Sequence, residues 1–144
     1  MNELRAQLRQ ALSDVFGLYI QAHIFHWNVE GADFFTYHKM FEDIYQDVYD
    51  SIDPLAEHLR AVGGYTHPTP SAIFTDNTES TGLITSSSEM VKVLINMNAA
   101  VVVSLTNAER EATEAKQIGV ANFLADRIDA HMKWNWFLRA SRGN

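Results

Sequence analysis

Two histidines, His26 and His38, stand twelve positions apart around a glycine-bearing break in the stretch FHWNVEGADFFTYHKMFED, and carboxylates follow at Glu42, Asp43, Asp53 and Glu57. Imidazole nitrogens and carboxylate oxygens suit divalent iron, with zinc, manganese or cobalt as imperfect mimics. The chain has no cysteine, which excludes disulfide staples, thiolate catalysis and zinc ribbons, so any metal site must use nitrogen and oxygen. Two imidazoles and three carboxylates (His26, His38, Glu42, Asp53, Glu57) leave coordination positions open for an oxidant, which iron oxidation needs. A bridging carboxylate such as Glu57 would let two irons sit close together.

The elements that must position these groups are helices. Leu4, Leu8, Leu12, Val15, Tyr19 and Ala22 recur at helical spacing, predicting a helix over residues 2–28 that Gly31 closes. Asp33 is a candidate N-cap for a second helix, whose apolar positions Phe41, Ile44, Val48, Ile52, Leu55, Leu59 and Val62 run to the Gly63-Gly64 pair. Residues 65–88 then turn to Pro, Ser, Thr, Asp and Asn, a long connection with at most one helical turn near residues 71–74. Ser86 and Glu89 have the spacing of a capping box, and the stripe Met90, Leu94, Met97, Val101, Leu105, Ala108 predicts a third helix ending near Gly119. A last helix over residues 120–139 carries Leu124, Ile128, His131 and Leu138 on one face. Two helices, one long crossover between helices two and three, and two more helices make an all-α, ferritin-like four-helix bundle, expected to form one core over residues 1–144.

On a wheel of about 100° per residue centred on Val48, the apolar positions of helix two fall within about 40° of the centre. His38, Glu42, Asp53 and Glu57 fall at about 80°, 120°, 140° and 180°. The candidate ligands thus form a second stripe turned away from the chain's own core. Bundle-interior di-iron sites instead use inward Glu-x-x-His motifs, and no such motif occurs: Ile128 precedes His131 by three and Leu55 precedes His58 by three. His38 with Glu42 and Asp53 with Glu57 are one-turn pairs whose midpoints lie about 22 Å apart along an ideal helix, too far for one metal ion. An antiparallel second copy across a two-fold axis would close both sites, with His26 completing each cluster.

Eighteen acidic against eleven basic residues give a net charge of -7, which opposes a phosphate backbone, and the scattered Lys and Arg form no basic arm. DNA binding through a basic tail is therefore not expected. The chain shows no unbroken apolar run long enough for a bilayer and no basic start of a signal peptide, so a cytoplasmic protein with no membrane partner is expected.

The pattern His26-Trp27-Asn28, Gly31, His38, an acid at 42, Asp53 and Glu57, together with HMKWNWFLR over residues 131–139, resembles the Dps family of mini-ferritins along nearly the whole chain. The resemblance implies a hollow homo-oligomer, a dodecamer, with di-iron ferroxidase centres at two-fold interfaces. There Fe(II) is oxidised, by hydrogen peroxide in preference to dioxygen, and stored as ferric oxide. It implies His26, His38 and Glu42 from one subunit, Asp53 and Glu57 from another, and Trp27 beside the metals as a trap for one-electron oxidants. Glu114, Asp126 and Asp129 are the acidic residues that the resemblance offers for an iron-entry pore. This chain departs from the family pattern in three ways: position 42 is Glu where Asp is usual, Pro54 sits inside helix two, where a kink is expected, and the basic tail is missing.

Blander readings stand beside these. Asp53-Pro54 can be the N-cap and first residue of a restarted helix. His38 with Glu42 can be an exposed helical pair, and His26-Trp27 an amphipathic helix end. His131 reads as a hydrogen-bonded core histidine, His23 as a supporting or surface group, and His58 and His67 as incidental. Two other functions compete: a DNA-condensing nucleoid protein with little iron chemistry, and a haem-binding or intra-chain di-iron bundle.

Overall fold

The computed structural model describes residues 1–74 and 82–142. Among the described residues five helices follow one another: α1 (Asn2–Asn28), α2 (Phe34–Ala61), the short α3 (Pro70–Phe74), α4 (Ser87–Glu114) and α5 (Ile118–Ser141). The chain is therefore the all-α, ferritin-like four-helix bundle, with a long crossover between its second and third long helices carrying α3 as one turn. Part of that crossover, residues 75–81, lies outside the described residues.

The apolar stripes explain the packing. Leu4, Leu8, Leu12, Val15 and Leu18 of α1, Phe41, Ile44, Val48, Leu55 and Leu59 of α2, Met90, Leu94, Val101 and Leu105 of α4, and Leu124 and Leu138 of α5 are all buried in one cluster. Helix α1 packs on both α2 and α4, and α4 on α5, whereas α2 and α5 approach each other sparsely. Helix α4 has the length and mean hydropathy of a membrane span. Its stripe from Met90 to Ala112 faces the bundle core.

Helix ends differ in detail from the expectations. Neither Asp33 nor Ser86 makes a side-chain cap hydrogen bond. Ser86 Oγ instead meets Ser88 Oγ at 3.1 Å, so the capping box is not formed. The α2 terminus follows the expected glycine stop: Gly63 has φ 87°, Gly64 N–H donates to the Leu59 carbonyl and Gly63 N–H to that of Arg60. The same closure ends α4 at Glu114, five residues before Gly119, but on Lys116, whose φ of 58° is unusual for a side-chain-bearing residue. Gln117 N–H donates to the Ala112 carbonyl and Lys116 N–H to that of Thr113. Reading glycine as the only stop therefore misplaces this boundary, and Gly119 lies inside α5. Helix α2 also runs unbroken through Pro54.

A polar lock spans the gap between α2 and α5. Arg127 grips Asp47 in two hydrogen bonds of 3.0 and 2.9 Å, and Trp134 Nε1–H donates to the same carboxylate at 2.7 Å. Burial opposes ionisation of Asp47, but the Arg127 and Trp134 hydrogen bonds outweigh it and hold the carboxyl below its ordinary value. One turn from Arg127, the fully buried His131 pairs its Nδ1 with Asn98 Oδ1 at 2.8 Å, while Asn98 Nδ2 donates back to the His131 carbonyl at 2.9 Å. His131 is thus the hydrogen-bonded core histidine expected from its place on the apolar stripe.

Burial, aided by the Arg127 charge and opposed by Asp47, pushes His131 from 6.5 down to about 3. Between those values the unfolded chain takes up a proton that the folded chain refuses, so stability present above pH 6.5 is lost as pH falls toward 3. This one group contributes a slope of at most about 1.4 kcal/mol per pH unit. Denaturant midpoints measured across that window at fixed protein concentration should fall with pH, and His131→Gln should flatten the fall while lowering stability at neutral pH.

Candidate metal centre

The turn between α1 and α2 sets the site. Helix α1 ends at Asn28, Val29 is extended, and Glu30 N–H donates to the Thr85 carbonyl at 2.9 Å, tying the turn to the strap that precedes α4. Gly31 then takes φ 122°, a conformation glycine alone adopts readily, and α2 starts at Phe34. This reversal stacks the His26 and His38 rings, with centroids 3.7 Å apart and planes at 16°.

The two histidines then lock each other. His26 Nδ1 lies 2.8 Å from the His38 carbonyl oxygen, and His38 Nδ1 lies 2.6 Å from that of His26. A carbonyl only accepts, so each Nδ1 must carry a proton, and in the neutral ring Nε2 keeps the free lone pair. Fixing the tautomer through the other ring nitrogen is how proteins prepare histidine as a metal ligand. His26 is buried and His38 half-buried, whereas Trp27, on the neighbouring face of α1, is 59 % exposed.

The carboxylates divide into two groups. Glu42 is half-buried beside the imidazoles and is held by Lys39 Nζ at 2.9 Å, while Asp43 meets the same ammonium at 3.1 Å. The Lys39 hydrogen bond, with smaller contributions from Lys39, His26 and His38 charge, keeps Glu42 below the ordinary carboxyl value. Asp53 and Glu57 stand exposed farther along α2. Their side chains meet, and the Asp53 hydrogen bond and charge raise Glu57 above its ordinary value. Two like charges crowded on one helical turn in this way favour a cation or a proton between them.

Each chain therefore supplies two separated half-sets, His26, His38 and Glu42 at one end of α2 and Asp53 with Glu57 at the other. Among the described residues, no three His, Asp or Glu side chains come together around one point. Glu114, Asp126 and Asp129 stand exposed at the end of α4 and along the first half of α5. His58 lies against Phe123, with ring centroids 4.7 Å apart.

Sequence reading missed an aromatic array beside the histidines. His23 is sandwiched between Trp27, at 4.0 Å, and Tyr45, at 3.9 Å and nearly parallel. Its Nδ1 lies 3.1 Å from the Tyr19 hydroxyl. Burial, and then the neighbouring His26, lowers the pKa of His23. Spacing alone held part of this signal, since Tyr19, His23 and Trp27 are one turn apart, but their pairing with Tyr45 depends on the α1–α2 crossing.

Comparison with known proteins shows the family and the fold. Residues 5–144 match the family model of the ferritin-like domain, which defines the class. A curated relative, the "DNA protection during starvation protein" of Brevibacillus brevis, is 38% identical over 85% of this chain and 83% of its own. The crystal structure of a Dps protein from Bacillus brevis superposes with a TM-score of 0.87 at 33% identity, covering 95% of this chain and 93% of that one. A Dps protein from Vibrio cholerae O1, described as a member of a broad superfamily of ferritin-like diiron-carboxylate proteins, shares the fold with a TM-score of 0.90 at 23% identity, over 96% of this chain and 88% of its own. The chain belongs to the Dps family of mini-ferritins.

The tautomer assignment is directly measurable. Nitrogen-detected NMR should show His26 and His38 protonated at Nδ1. An Nδ1 without its proton in either ring would contradict the reciprocal carbonyl bonds.

Proposed function

We propose that this protein is a ferroxidase and iron store whose sites close only between two chains. In this reading, two copies pack antiparallel along α2 across a two-fold axis, so that His26, His38 and Glu42 of one chain face Asp53 and Glu57 of the partner subunit. Each pair of chains then has two equivalent sites. The reciprocal locking of His26 and His38 carries the proposal, because it engages each ring through Nδ1 and leaves both Nε2 atoms outside that pairing.

Fe(II) is the substrate. Two ferrous ions held together, with Glu57 as the bridging carboxylate, can deliver the two electrons that convert one hydrogen peroxide and two protons into two waters. A lone ferrous ion donates a single electron and releases a hydroxyl radical instead. Dioxygen is the alternative oxidant. The like-charge crowding of Asp53 and Glu57 is relieved when a cation binds, and the extra methylene of Glu42 lets its carboxylate leave Lys39 and reach the metal. The ferric product is stored as oxide inside a hollow dodecamer, with Glu114, Asp126 and Asp129 as acidic groups along the entry route. Protection of DNA then follows from removal of iron and peroxide without contact, since a net charge of -7 repels the phosphate backbone.

Co-assembly tests the inter-subunit arrangement. His26→Ala and Glu57→Ala chains should each form assemblies of the native mass, and each should lose most of the ferric absorbance rise after anaerobic Fe(II) and peroxide. Cages reassembled from an equal mixture should recover about a quarter of the sites, because half the pairs are mixed and each mixed pair keeps one intact site. No recovery, or a monomeric mass for the native chain, would overturn the proposal. A mobility shift of DNA at moderate salt would favour the nucleoid reading.

A further inference from the structure

Helices α2 and α5 are stitched rather than packed. They approach each other sparsely, and contacts at three levels tie them together. At one end the Tyr37 hydroxyl donates to the Ser141 carbonyl at 2.6 Å, and the Ser141 hydroxyl meets Met40 Sδ at 3.4 Å. In the middle Asp47 takes Arg127 and Trp134, and at the other end the His58 ring lies against Phe123. On the wheel centred on Val48, Met40, Asp47 and His58 fall at about 80° to 100° on one side, and the candidate ligands at about 80° to 180° on the other. An antiparallel α2 pairing through the ligand stripe therefore leaves this seam inside each chain's own bundle.

The middle contact depends on a neutral His131. Asn98 Nδ2 donates to the His131 carbonyl, which turns Asn98 Oδ1 to the ring, so His131 Nδ1 carries the proton and Nε2 the lone pair. Arg127 Nη2 stands 3.3 Å from that Nε2 while it also donates to Asp47 Oδ2. A second proton on the ring would set one N–H against another and one cation against another. The charges acting on His131 are those of Arg127 on its own helix and Asp47 on α2. Helix α4 meets it with the neutral Asn98, and among the described residues no charge from α1 acts on it. The Asp47 side chain is 33 % exposed and that of Arg127 14 %, so protons reach the clamp from the surface.

We propose that the α2–α5 seam is an acid-operated joint: a proton on His131 Nε2 displaces the Arg127 guanidinium, Asp47 loses its partner, and α5 parts from α2 while it stays packed on α4. Release reinforces itself. Without Arg127, the Asp47 carboxyl returns toward its ordinary value, and the opened His131 returns from about 3 toward 6.5. The opened form therefore binds more protons than the closed form, and its population rises as pH falls through that window. Helix α5 shares far more contact with α4 than with α2, so the seam opens before the bundle is lost. The joint uses none of the candidate metal ligands and operates without iron.

A thiol at the seam tests the joint, since the native chain has no cysteine. Ser51 is buried on α2 one turn from Asp47, so Ser51→Cys places a small probe there. Ser104→Cys is the control, buried on α4 where Ser104 meets Asp14 of α1. Labelling of the whole assembly with dithiodipyridine is measured at each pH against an unfolded cysteine peptide. Relative to that peptide, labelling at position 51 should rise on the order of fiftyfold between pH 6 and pH 4, and at position 104 far less. Adding His131→Gln, which removes the titrating ring but keeps an oxygen for Arg127, should shrink the rise to a few-fold. Adding Asp47→Asn instead should speed labelling at position 51 about tenfold at pH 7 already. Equal rises at positions 51 and 104, or a rise that His131→Gln leaves intact, overturn the joint. Should the His131→Gln chain fail to assemble, the Asp47→Asn chain decides, and labelling at pH 7 no faster than without that change is the overturning result.

Discussion

The site depends on one reciprocal interaction: two imidazoles, each donating Nδ1–H to the other's backbone carbonyl across the α1–α2 reversal. The acceptors belong to the main chain of two packed helices, so the ring orientations are as rigid as the helices themselves. No side-chain rotamer has to be recruited to hold them. The arrangement also explains the intervening turn. An extended Val29, a pinned Glu30 and the left-handed Gly31 make the reversal tight enough for rings twelve residues apart to stack at 3.7 Å.

Helix α2 shows how one element serves three surfaces. Its apolar stripe is buried against α1, Asp47 reaches the other way to Arg127 and Trp134 of α5, and the stripe of candidate ligands faces out. Rotation of α2 would break the Asp47 lock and the histidine lock together. The pair is partly buried, so removing one partner leaves the other charge incompletely compensated. The polar lock and the candidate metal centre therefore share one helix.

Much of this is legible in the sequence. The four long helices, the one long connection and the outward polar stripe of α2 all follow from period and spacing, because burying an amphipathic face is the strongest force on each helix and leaves a regular trace. Features decided by a few atoms leave none. Lys116 closes α4 in a conformation usually given to glycine, so Gly119 points to the wrong boundary. Ser86 and Glu89 have a capping spacing without the bond. Arg127 and Trp134 lie 80 and 87 residues from Asp47, and no local pattern announces a pairing made only by the packing of α2 near α5.

Pro54 illustrates how local and functional readings can coexist. It removes one backbone donor, yet α2 continues through it, with Asp53 one residue before and Glu57 one turn later on the exposed face. The crowded carboxylates carry an electrostatic strain in the isolated chain, seen as the raised pKa of Glu57. In the proposed dimer, a cation bound between that pair and the opposing imidazoles removes the strain only when both chains are present. Binding that requires an interface must strengthen that interface by the same free energy, since linkage is reciprocal. Iron would then be both the substrate of the assembly and one of the forces that hold its subunits together.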